Sequence, residues 1–143
     1  MLKIATTILI ISVVLSVLFS IFVIISPETI GGSTLEARSG KTLESIQEPE
    51  VSNTIIVQTR HIGVFALTTS IALCFILFAG FKKGEQWAWW AFLIILVISE
   101  GYGLALQIIE GDVFNMILHL IVTVLWLTGI LMPVKVFFPK KSS

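Results

Sequence analysis

Four apolar runs leave this chain few ways to fold. They cover about Ile4–Ile25, Ile55–Phe81, Trp87–Ile109 and Val113–Met132. Each is near or above the ~20 residues a helix needs to cross ~30 Å of hydrocarbon. Lipid offers no water to the backbone, so each run is expected to be a helix that satisfies its own N–H and C=O groups. The first run exceeds the h-region of a signal peptide, and no Ala-x-Ala-like site follows it, so it is read as an uncleaved helix.

The composition agrees. Of 143 residues, 56% are hydrophobic and 13% charged, against about 25% charged in a soluble domain. Formal net charge is zero, so no basic surface points to nucleic acid. One cysteine, Cys74, excludes an internal disulfide and a CxxC motif, and with them thiol-based reductases and zinc ribbons.

Lysines set the expected topology. Lys3 precedes the first run, Lys82 and Lys83 join the second to the third, and Lys135, Lys140 and Lys141 follow the fourth. The turn at Glu110–Asp112 carries only acids. The positive-inside rule then places both termini and the Lys82–Lys83 turn in the cytoplasm, and segment 26–54 outside the cell membrane. Trp87, Trp89 and Trp90 are read as an aromatic belt at the inner interface. Short connections make consecutive runs antiparallel neighbours. The expected fold is all-α: a polytopic, up-down four-transmembrane-helix bundle forming one domain over residues 1–143.

Segment 26–54 is the only sizeable stretch outside the runs. Pro27 is expected to end the first helix, Gly31-Gly32 to act as a flexible break, and Ser39-Gly40 to separate two short helical pieces, the second ended by Pro49. Its few apolar residues, Leu35, Leu43, Ile46 and Val51, are candidates to pin it to the bundle mouth or to a partner. Ser12, Ser16 and Ser20 recur at i+4 on the first helix, a stripe of small residues that lets helices approach closely. This helix and segment 26–54 are the expected contact surfaces for a partner protein or a second copy.

Glu100 stands inside the third run, where an ionisable group costs roughly 2.5–3.5 kcal/mol on insertion scales. The hairpin register places it level with Val122–Thr123, and with Leu67–Thr68 on the second helix. Its expected polar neighbours are therefore Thr68 or Thr69 and Thr123. Arg60 and His61 lie about 8 Å below the outer surface at ~1.5 Å per residue, with Gln107 level with Arg60 and His119 at similar depth. Arg60, His61, Glu100, Tyr102, Gln107 and His119 are thus candidates for a polar pocket in the outer half of the bundle. Direct pairing of Glu100 with His119 is disfavoured, because each side chain leans toward its own helix N-terminus and so away from the other. His61, His119, Glu100 and Asp112 are admissible metal ligands, but no HxxxH, ExxH or CxxC spacing supports a metal site. No GxSxG, HExxH or Ser–His arrangement marks a catalytic residue.

Arg60-His61-Ile62-Gly63, the apolar helix after it, and Lys82-Lys83-Gly84-Glu85-Gln86-Trp87-Ala88-Trp89 resemble a pattern in small four-span prokaryotic membrane proteins, the DoxX-like families. The resemblance covers roughly Arg60–Leu104. Arg60 and Gly63 map onto its Arg-x-x-Gly opening, and the long segment 26–54 departs from the usual short connection. The resemblance implies a quinone-linked redox role. Two functional expectations follow. One is an accessory or scaffold subunit of a membrane complex, without catalytic chemistry of its own. The other is a membrane redox protein binding a quinone or lipid through the polar pocket.

Overall fold

The structure is a computed structural model. It describes residues 1–110 and 113–139, less the side chains at 107, 110, 113–115 and 118. Helices occupy Leu2–Ile25 (α1), Pro27–Ser39 (α2), Pro49–Ala79 (α3), Gln86–Glu110 (α4), Val113–Leu131 (α5) and Val134–Phe137 (α6). No strand occurs among the described residues. Four helices, α1, α3, α4 and α5 with its extension into α6, are long and apolar enough to cross a bilayer by length and composition.

The chain forms two compact units. One comprises Met1–Val14 and Ala72–Ser143, the other Leu15–Ile71.

The second unit holds the largest departure from the sequence expectation. Segment 26–54 is mostly helical. Pro27 is the first residue of α2, where its fixed φ suits the helix and its missing N–H is not needed. Glu28 in the first turn and Arg38 in the last complement the helix dipole. Gly40 closes α2 in the left-handed conformation (φ 67°), its N–H donating to Glu36 O.

Gly31 and Gly32 lie inside α2 and do not break it. A Cβ at Gly31 would sit 2.8 Å from Thr59 Oγ1 and 3.3 Å from Ile55 Cγ2. The glycine is there so that α2 can lie directly on α3. Leu43, in a 3-10 turn over Leu43–Ser45, covers Gly32. Pro49 opens α3 and does not merely end the preceding turn, so α3 starts six residues before the expected Ile55. A third close approach joins α1 to α3, where a Cβ at Gly63 would meet Ile24 and Val23.

The first unit is built on aromatic packing. Phe81, Phe92 and Phe137 are fully buried. Phe81 meets Phe92 edge-on at 5.2 Å and Phe137 at 4.8 Å, and Trp126 stacks beside Phe92 at 5.7 Å. Leu9 of α1 lies on Gly129 of α5, where a Cβ would be 2.7 Å from its Cδ2.

Two side chains at the start of α4 satisfy carbonyls that helix ends leave open. Trp89 Nε1 donates to Ile130 O at 2.9 Å, and Gln86 Nε2 donates to Phe137 O at 2.8 Å. Only part of the tryptophan trio therefore suits an interface belt. Trp87 and Trp90 are 52% and 50% exposed, whereas Trp89 is 6% exposed and belongs to the core.

Replacing Trp89 with Phe keeps an aromatic ring but removes the indole N–H, orphans the Ile130 carbonyl and leaves part of the indole volume empty. The expected destabilisation is about 1–3 kcal/mol, read by denaturant titration in micelles. Trp90→Phe should stay within about 0.5 kcal/mol.

Candidate functional site

On α4 the inward positions run Trp89, Phe92, Leu96, Glu100 and Gly103. On α5 they run His119, Thr123, Trp126 and Ile130. This spacing of three and four residues marks one face of each helix, and α4 and α5 pack along those faces. At one end the seam is aromatic and aliphatic. At the other it turns polar at Glu100, His119 and Thr123.

Glu100 and His119 are in direct contact, contrary to the expectation from side-chain lean. His119 Nδ1 lies 3.1 Å from Glu100 Oε2. The reason is Gly103. A Cβ there would sit 2.8 Å from His119 Cε1 and 3.2 Å from Nδ1. The imidazole rests on the bare backbone of α4 and reaches along it, one turn toward the helix N-terminus, to the carboxylate. Any other residue at 103 would occupy the path of the ring. Glu100 and Gly103 stand at i and i+3, so they share a face. That spacing was visible in the sequence and was the missed signal.

The contact needs one shared proton. Either Nδ1–H donates to a carboxylate, or a carboxylic acid donates to Nδ1. The pair is neutral overall when Nε2 also carries a proton, as an imidazolium–carboxylate or an imidazole–carboxylic acid pair, and a neutral pair suits an apolar span far better than a lone charge. The side chains are 19% (Glu100) and 34% (His119) exposed, so the pair remains within reach from outside the seam.

Thr123 is one turn beyond His119 on the same face. The hydroxyls of Thr68, Thr69, Ser70, Ser99 and Thr128 all donate to the carbonyl four residues back. Thr123 does not. Its Oγ1 is buried and has no hydrogen-bond partner among the described residues. Thr68 and Thr69, expected beside the carboxylate, are exposed and bonded to their own helix.

The remaining candidates do not join this cluster as side chains of the α4–α5 seam. Arg60 and His61 are exposed residues of α3 in the other unit. Tyr102 is 67% exposed. The Gln107 side chain and Asp112 lie outside the described residues. Among the described residues no group of three metal-ligating side chains converges. Of the serine stripe, Ser12 and Ser20 are buried and Ser16 is half-buried. Ser12 donates to Ile8 O and Ser20 to Ser16 O.

A separate cavity of about 570 Å³ lies in the second unit, between the end of α2 and the start of α3. Leu35, Ile46, Val51 and Ile55 form its apolar part, and Lys41 and Glu48 are among its polar lining.

No protein-family model, no curated protein and no solved structure matches this chain.

Gly103→Ala should push the imidazole off the helix and cost about 1–3 kcal/mol through overpacking, with loss of the Glu100-coupled His119 signal in NMR. Gly101, which has nothing within 4 Å of its Cβ position, is the control. Gly101→Ala should leave the His119 signal in place and gain up to about 1 kcal/mol from helix propensity.

Proposed function

We propose that this chain is a small integral protein of the cell membrane, without catalytic chemistry of its own, that serves as an accessory or scaffold subunit. In this reading its spans form an up-down bundle with both termini cytoplasmic. The folded segment 26–54 stands outside as the contact surface.

One observation carries the reading: α2 is held against α3 through Gly31 and Thr59, with a cavity beside it. A connection between spans that served only as a tether would have no need of a packed helix. A preformed surface is what a contact partner requires, since binding then orders little additional chain. The length of α3 is consistent with this. Counting about 20 residues back from Ala79 ends at Arg60. Residues 49–59 then project about 16 Å beyond the hydrocarbon at ~1.5 Å per residue. The exposed Arg60 and His61 fall at the boundary, where a long cationic side chain can extend to the headgroups. The lysine asymmetry supports the orientation.

The Glu100–His119 hydrogen bond favours a second reading, in which the α4–α5 seam binds the polar group of an apolar molecule such as a lipid or quinone. A partly reachable acid–imidazole pair beside an unpartnered hydroxyl provides convergent polar groups in an apolar setting.

Two measurements test the first reading. In a Cys74→Ser background, Ser39→Cys should react with a membrane-impermeant maleimide on intact cells, and Lys83→Cys only after permeabilisation. The opposite pattern inverts the topology. Extracted in mild detergent, the chain should migrate in a complex larger than its own 15.8 kDa plus micelle. Gly31→Leu, which wedges α2 off α3, should release it. A wild-type chain that runs alone overturns the accessory role.

A further inference from the structure

We infer that Glu100, His119 and Thr123 form a lateral site for the hydroxyl group of a neutral, lipid-like alcohol. The inference deepens the second reading above and rests on it.

Thr123 carries the argument. Buried polar atoms are almost always hydrogen-bonded, and each exception calls for an explanation. A threonine in a helix has an easy remedy, the carbonyl four residues back. Other hydroxyls on the long apolar helices take it, among them Ser99 and Thr128 at either side of this seam. Thr123 Oγ1 is buried and takes none. By the register that sets His119 over Gly103, Thr123 is level with Ser99, next to Glu100. Its hydroxyl therefore belongs to the same layer as the acid–imidazole pair.

The free valences define the ligand. The Glu100–His119 contact uses Nδ1 and Oε2. It leaves His119 Nε2, the second carboxyl oxygen, and the Thr123 hydroxyl, which can both donate and accept. A guest with one donor and one acceptor on the same atom meets this set. A hydroxyl group is such a guest. A carbonyl can only accept, so it would bond Thr123 or an Nε2–H and leave the second carboxyl oxygen unmet.

Charge narrows the class further. A charged headgroup would bring a further ion into an apolar span, a cost that a neutral guest does not incur. Leu96 and Trp126, each 5% exposed, close the seam one turn away. Glu100 and His119 keep partly exposed side chains, and Val97 and Ile121 on the flanks of α4 and α5 are exposed apolar surface for the body of the guest.

The test uses full-length protein in phosphatidylcholine vesicles and three photoreactive probes with the same chain: a primary alcohol, the matched methyl ketone and the plain alkane. The alcohol should label peptides containing Glu100 or Thr123 above both controls. Thr123→Val should lower that labelling about 2- to 10-fold, as expected for one lost hydrogen bond, and Thr123→Ser should restore it. Thr123→Val replaces an unpartnered hydroxyl with a methyl of the same shape, so its thermal stability should not fall. Equal labelling by alcohol and alkane, or labelling indifferent to Thr123→Val, overturns the site. Preferential labelling of the same peptides by the ketone overturns the hydroxyl specificity and leaves the second reading standing. Labelling scattered over all helices by all three probes removes both.

Discussion

Close contact through bare backbone is the constraint on which this structure depends. α2 meets α3 at Gly31, α1 meets α3 at Gly63, α5 receives Leu9 at Gly129, and α4 receives His119 at Gly103. In each case a side chain of one helix occupies the volume that a Cβ would fill on the other. Between helices in lipid the hydrophobic effect supplies little attraction, so association relies on van der Waals contact and hydrogen bonds. Glycine brings the surfaces near enough for both. At Gly103 the two coincide, because the close approach is what allows the hydrogen bond to form.

The positions of the long helices were legible because their signal is summed over about 20 residues of hydropathy, which local features hardly disturb. Segment 26–54 was less legible. Gly31-Gly32 reads locally as a break, and helix propensity agrees with that reading. What overrides it is Thr59, nearly thirty residues away, and no local rule contains that contact. The tryptophans show an intermediate case. Trp89 shares the spacing of Phe92 and Leu96, whereas Trp87 and Trp90 do not. That spacing separates the core ring from its two exposed neighbours, but the belt expectation groups all three together, and for Trp89 the structure corrects it.

The polar site was half legible. Glu100 and His119 announced themselves by residue type, and Thr123 by hairpin register. Their pairing was obscured because the lean of a side chain is a rule about a helix with Cβ atoms on it. Remove one, at Gly103, and a ring can lie along the partner helix against that lean. Arg60 and His61 were grouped with the pair by depth. Depth places residues in a layer without choosing a face, and both side chains are exposed on α3.

The joining of α2 to α3 has a mechanical side. Within the second unit, α2 rests on α3 at Gly31, and α3 rests on α1 at Gly63, with no glycine hinge in residues 49–62 between these contacts. In the membrane placement proposed above, segment 26–54 would be carried on a lever of about 16 Å. Helices answer a change in bilayer thickness by tilting, commonly near 20°. On a lever of that length such a tilt sweeps the tip sideways by about 5 Å. In that placement, membrane thickness would become a quantity that the exposed surface expresses as position.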